Sequence, residues 1–296
     1  MNKTYILLFS ALLLMSCSNN QKKKIVASPD VKIIMAESMQ RFSDAWNKGN
    51  AEMISEEFTN DAIRVISNPM SPIIGKKRIS ESFKLTFSEE SEFYKSHIET
   101  SVIETRSVSK DIFLGTGMFK ILDINNNVLE EGKWGNVFKY ANGQIKFLLE
   151  SAHRKSKVQS ETKSIDSLNP SIISGELHFE KIQESVSNYI KNVNDQNAED
   201  LSLLFIKDGI QSVSSKTGII LGREKIKNSE IFIEGQILSA NILGYKYLDN
   251  SIAIAYGKWL QIDKKTGATI KGQWGNLFKI EKEKAFLIME SAGTIN

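Results

Sequence analysis

The sequence predicts an α+β fold built twice, each copy packing three helices on a curved, mostly antiparallel sheet. Two observations carry this. The first is an internal repeat. Residues 45–63 (AWNKGNAEMISEEFTNDAI) set against 192–210 (NVNDQNAEDLSLLFIKDGI) are identical at eight of nineteen positions without a gap. Residues 132–152 set against 272–292 match at nine of twenty-one. The offset is 147 for the first block and 140 for the second, so the second copy is seven residues shorter between the equivalents of Ile79 and Ile112. Collinear blocks with one local deletion are what duplication of a whole unit leaves behind. The second observation is that each copy begins with apolar residues at helical spacing and ends with four segments of strand character.

In the first copy, residues 31–48 place Ile34, Met35, Met39, Phe42 and Trp46 on one helical stripe. Asn50, and Asn197 in the second copy, stand where an N-cap opens a short second helix, with Glu52 and Glu199 in its first turn. Residues 61–67 read as a short strand. A third helix begins just after Gly75 and contains Ile79 and Phe83. Strands follow at about 95–107, 111–122, 129–140 and 144–153. Asn125-Asn126-Asn127 and Asn142-Gly143 supply the tight turns between them, and Lys265-Thr266-Gly267 does the first of these jobs in the second copy. Helices gathered on one face of a curled sheet make an α+β domain.

The chain of 296 residues carries 38 basic and 35 acidic side chains, a formal charge of +3, which gives no electrostatic argument for nucleic acid. Lys3 precedes an apolar run over 5–15 that has signal-peptide length and is too short for a bilayer. Leu14-Met15-Ser16-Cys17 resembles the lipobox of bacterial lipoproteins, and Cys17 is the single cysteine. The expected division is a lipoprotein signal peptide over 1–16, a tether over 17–29, one domain over 30–154, a Ser-rich linker over 155–176 and a second domain over 177–296. The expected location is secreted and held to a membrane by lipid at Cys17, at the outer membrane or periplasmic face if the source has two membranes.

Trp46-Asn47-Lys48-Gly49-Asn50, Phe58, Asp61-Ala62 and residues 132–150 together resemble the nuclear transport factor 2-like superfamily, which includes ketosteroid isomerase and the SnoaL-like polyketide cyclases. The resemblance implies two tandem cone-shaped domains, each with an open mouth, and it implies no single activity. It also permits a residue-by-residue comparison with the isomerase. The oxyanion-binding tyrosine falls on Phe42 and Tyr189, the general base on Ile66 and Val213, and the second oxyanion donor on Asn136 and Asn276. Proton transfer needs a titratable group within reach, so aliphatic residues at both base positions exclude that activity. No catalytic residue, metal site or cofactor is expected.

Trp134, Asn136 and Phe138 share one strand face, and Trp274, Asn276 and Phe278 repeat the pattern. With Phe42 and Tyr189 they are the candidate pocket residues. Two readings stand together: an aromatic wall with one amide for a small apolar ligand bearing a polar group, or a filled core whose Asn satisfies a backbone neighbour. Glu150 and Glu290, each in Glu-Ser-Ala at the end of the last strand, and His97 and His153 are weaker candidates. His178 completes the three histidines. The leading expectation is a non-enzymatic small-ligand-binding or interaction lipoprotein whose two domains pair with each other. One alternative is a SnoaL-like enzyme of isomerase, cyclase or hydrolase type on a small apolar substrate, with the second copy and its Tyr189 favoured. The other is a structural partner of an outer-membrane complex.

Overall fold

A computed structural model describes residues 30–67, 72–141, 143–155, 168, 177–230, 232–249 and 251–295. Cys17, the signal segment, the tether, Asn142 and all but a few linker residues lie outside the described residues. In the first copy the elements are α1 (Val31–Asn47), α2 (Ala51–Ser55), β1 (Phe58–Ile66), β2 (Ile73–Ile74), α3 (Lys76–Thr86), β3 (His97–Ser107), β4 (Ile112–Leu122), β5 (Val128–Ala141) and β6 (Gln144–Arg154). The second copy repeats them as α4 (Phe179–Asn194), α5 (Ala198–Leu203), β7 (Phe205–Val213), β8 (Ile220–Leu221), α6 (Arg223–Ser229), β9 (Gln236–Asp249), β10 (Ile252–Asp263), β11 (Thr269–Glu281) and β12 (Lys284–Thr294). The first strand begins three residues earlier than its apolar alternation suggests, at Phe58, which is fully buried against the helices. Glu150 and Glu290 stand inside their strands rather than at the ends, because β6 and β12 each run four residues past them.

Each sheet has six strands, in the orders β2-β1-β6-β5-β4-β3 and β8-β7-β12-β11-β10-β9. The last four strands of each copy form the expected antiparallel meander. The first strand then adds to the meander in parallel, β1 on β6 and β7 on β12. This pairing joins segments far apart in the chain and leaves no mark in either segment alone.

The repeated motifs now have mechanical explanations. Asn50 and Asn197 cap α2 and α5, their side chains accepting from the Met53 and Asp200 amides at 2.9 and 3.0 Å. Asn47 and Asn194 reach from the ends of α1 and α4 to accept the Ile98 and Leu238 amides, both at 2.8 Å, fixing the long helix to the edge strand. On β5, Trp134 and Phe138 turn toward the helices and join their aromatic core, while Val137 joins a cluster on the opposite face.

That opposite face is apolar and continuous between the copies. Ile63, Val65, Leu114 and Val137 of the first sheet pack in one cluster with Ile210, Ile254, Leu277 and Met289 of the second. The contacts obey a pseudo-twofold relation. Lys133 donates to the Val213 carbonyl at 2.8 Å, and its counterpart Gln273 donates to the Ile66 carbonyl at 3.0 Å. Ser151 and Ser291 each donate to the other's carbonyl, at 3.4 and 3.2 Å. At the periphery, Arg106 pairs with Asp208 at 3.0 Å and the equivalent Lys246 with Asp61.

Candidate functional site

The first domain encloses a cavity of about 590 Å³ between α1, α3, the segment 87–96 and the concave face of the sheet, a volume typical of small-molecule sites. Helix α1 contributes Met39, Phe42 and Trp46, the sheet contributes Phe119, Trp134 and Phe147, and Phe93 closes the wall. The aromatic rings are locked to one another. Phe42 lies 5.3 Å from Phe147, and Trp46 meets Phe87 edge-on at 5.3 Å, arrangements that favour a stiff wall over a collapsing one. The last turn of α3 and the segment after it supply Leu85, Thr86, Ser91, Glu92 and Phe93. The seven residues absent from the second copy fall within this region, between α6 and β9.

The polar groups of the repeated Trp-Gly-Asn motif are taken by neighbours. Trp134 Nε1 donates to the Met118 carbonyl at 3.2 Å, and Asn136 Oδ1 accepts from the Ser151 amide at 2.9 Å. The second copy repeats both, Trp274 to the Lys258 carbonyl at 3.3 Å and Ser291 to Asn276 at 3.0 Å. Each Asn oxygen thus satisfies the strand backbone beside a bulge. Gly135, between Trp134 and Asn136, touches the other domain: a Cβ there would lie 2.8 Å from Met289 Sδ. At Gly275 a Cβ would lie 3.1 Å from Ser151 Oγ and 3.3 Å from Leu149 Cδ1.

Charge enters the first cavity through Glu150, a weaker candidate from the sequence, and through Arg64, Arg154 and Glu130, which the sequence pattern did not single out. Arg64, buried on β1, donates to Glu150 at 2.7 Å and Ser82 at 3.1 Å and covers the Phe83 ring at 4.1 Å. That pair is charge-neutral and nearly closed to solvent. Arg154 and Glu130 also line the cavity and are not saturated. Arg154 Nε is shut away from solvent with no acceptor, and its guanidinium makes no ion pair among the described residues. Burial pushes the Glu130 carboxyl up from the usual carboxylate range, and Glu92 pushes the same way, while Arg154 and Arg64 pull it back. The clue available in the sequence was the extra segment in the first copy; the pairing of β1 with β6, which brings Arg64 to Glu150, was not.

The second domain differs where it matters. The counterparts of Phe42, Arg64 and Phe83 are Tyr189, Gln211 and Glu230. Tyr189 donates to Glu290 at 2.7 Å, and Gln211 donates to Glu290 at 3.0 Å and Glu230 at 2.9 Å. Lys216 pairs with Glu230 at 3.0 Å and closes the network. Burial drives the Glu290 carboxyl up to about 7. Burial, then the Glu290 and Glu230 charges, hold the Tyr189 hydroxyl well above the phenol range. Ile66 lines the first cavity, so an aliphatic side chain stands at the position of the isomerase base.

The histidines do not join either group. His97 opens β3 opposite Leu122. His153 is fully buried, with Nε2 3.0 Å from Ser151 Oγ and Nδ1 without a partner. It packs against Gly293 of the other domain, and burial lowers its pKa to about 3, which keeps it neutral. Among the described residues no group of three His, Cys, Asp or Glu stands together as a metal site, and no helix is long and apolar enough to cross a membrane.

The chain is therefore a tandem of two α+β cone domains, the first of them holding an aromatic-walled cavity. Element order and sheet topology give each half the nuclear transport factor 2-like fold. Solved structures with similarity to the chain include a domain of unknown function with a cystatin-like fold from Nostoc punctiforme (15% identity, 44% of this chain and 81% of that one, TM-score 0.40). Others are a nuclear transport factor 2-like protein of unknown function from Shewanella oneidensis (9%, 41% and 98%, 0.36) and a ketosteroid isomerase-like protein from Erwinia carotovora atroseptica (13%, 44% and 98%, 0.36). No protein-family profile matches the sequence, and no curated protein does.

Proposed function

We propose that the first domain is a small-ligand-binding module and that the second is its scaffold, the pair being held at the cell envelope by lipid on Cys17. The carrying observation is the cavity of about 590 Å³ walled by Phe42, Trp46, Phe119, Trp134 and Phe147. Its counterpart region in the second copy is bridged by the network of Tyr189, Glu290, Gln211 and Glu230. Binding is favoured by the aromatic wall and by the pairing of Glu150, the most deeply buried acid of the cavity, with Arg64 at 2.7 Å. Envelope display rests on the lipobox-like sequence ending at Cys17.

Native mass spectrometry of the full chain in detergent tests both parts. The expected result is a diacylglycerol-type mass addition at Cys17, together with a retained small molecule. Thr86→Trp, which projects an indole from α3 into the cavity, should release that molecule without unfolding the protein. A chain that carries no small molecule and takes up none from an apolar metabolite library would sink the binding reading. A second reading, an acid–base enzyme in the second domain, is favoured by the single fact that Glu290 is poised near neutral pH beside Tyr189. Turnover that survives Thr86→Trp and is lost in Glu290→Gln would establish it.

A further inference from the structure

We infer that the first-domain cavity takes a monocarboxylic acid with an aromatic or hydroaromatic body, its head bridging Arg154 and Glu130 with one proton shared between ligand and Glu130. The inference rests on the binding reading above and names the ligand class. Three observations carry it. The body of the cavity is a wall of aromatic rings, which suits a planar or cyclic apolar group. Arg154, the last residue of β6, lines the same cavity, and its guanidinium makes no ion pair or side-chain hydrogen bond among the described residues. Glu130, on the neighbouring β5, lines it too and has no hydrogen-bond or ion-pair partner among the described residues, although Arg154 is close enough to act on its charge.

The two groups together set the ligand chemistry. A guanidinium can only donate, so the ligand must bring an acceptor. Glu130 in its neutral form donates one hydrogen bond and accepts another. A carboxylate satisfies both: one oxygen accepts from Arg154 and the other from the Glu130 O–H. The proton comes from solvent, and the complex holds one negative charge facing one guanidinium. Arg64 lines the cavity too, but its charge is already paired with Glu150 at 2.7 Å. The other charges near Glu130 are Glu92, from the segment before β3, and Arg64 on β1. Across the cavity α3 adds one charge of each sign, Arg78 and Glu81. With Glu130 ionised, the site sets a second negative charge beside the ligand's own and rejects the acid.

Calorimetry on the full chain with 2-naphthylacetate, its methyl ester and 2-naphthylethylamine, at pH 5.5 and 8 in two buffers of different ionisation enthalpy, tests this. The acid should bind at least tenfold more tightly than the ester at pH 5.5, with uptake of a fraction of a proton that grows with pH. Its affinity should fall by up to tenfold per pH unit once Glu130 ionises in the free protein. Arg154→Met should erase the preference for acid over ester. Glu130→Gln, which keeps a neutral donor, should retain acid binding and flatten the pH dependence, and it separates a lost contact from a lost fold. Equal binding of acid and ester, or a preference for the amine that rises with pH, would overturn the acid assignment while leaving the cavity reading intact. If none of the three probes binds and Thr86→Trp changes nothing, both fall.

Discussion

Single residues in this chain hold protons in opposite directions, and the pH dependence of stability should show it. His153 is neutral in the folded protein down to about pH 3, whereas an unfolded histidine takes a proton below about 6.5. Its contribution is complete above that value and is lost as pH falls toward 3. Glu290 holds its proton up to about pH 7 when folded and only to about 4.3 when unfolded. Its contribution is complete below that lower value and is lost as pH rises through 7. The two slopes oppose each other between about pH 4.5 and 6.5, each at most about 1.4 kcal/mol per unit. Urea midpoints at pH 5, 6 and 7 should therefore be nearly flat for the wild type. Glu290→Gln should make stability rise with pH across this window, and His153→Gln should make it fall. Parallel profiles for all three would show that neither group titrates as described. Composition gave no sign of either shift, because each needs knowledge of what surrounds the residue.

At the scale of elements, the helix ends were the most legible part of the fold. Asn50 and Asn197 were recognised as caps because the capping bond is local, three residues along the chain. The repeat also carries a position that the two copies solve differently. Gly49 adopts φ +60°, and its counterpart Gln196 takes φ +57°, where a Cβ costs about 1–2 kcal/mol. Gln196→Gly should stabilise the second domain by up to about 1 kcal/mol after the entropy cost of glycine, while Gly49→Gln should destabilise the first by a similar amount. Both are measured by chemical denaturation, and a loss of stability in Gln196→Gly would show that its side chain contributes more than its backbone costs. Strand ends were less legible. The early start of β1 at Phe58 and the short strands β2 and β8 depend on neighbours that the segments do not encode.

For the whole molecule, the sheet–sheet cluster predicts that the two domains unfold together. Leu114, Val137, Ile254 and Met289 lie in one buried cluster drawn from both copies, and burial of such side chains is worth about 1.5–3 kcal/mol each. The peripheral pairs Arg106–Asp208 and Lys246–Asp61 are half open to solvent and add little. Salt should therefore leave the unfolding temperature almost unchanged. Differential scanning calorimetry should give one transition for the wild type, and Ile254→Asp should split it into two or lower it by well over 5 °C. Two separate transitions in the wild type would mean that the domains are thermodynamically independent and that the cluster couples them weakly.

The sequence by itself determined the duplication, the order of the helices and of the five longer strands in each copy, the α+β class and the caps, because each is written in local periodicity or in matched residues along the chain. It also exposed Trp134-Gly135-Asn136 as a repeated motif without its meaning. Tertiary structure assigned the parts: the tryptophan and the asparagine to the cavity lining, the asparagine oxygen also to its own strand neighbour, and the glycine to the facing sheet. It likewise tied Tyr189 to Glu290 in the second copy and opened a cavity in the first, where Arg154 and Glu130 line it. The physical reason is that a pocket is defined by groups left without partners. Whether a side chain is satisfied is decided by residues distant in sequence, as Arg64 and Glu150, 86 positions apart, demonstrate at 2.7 Å.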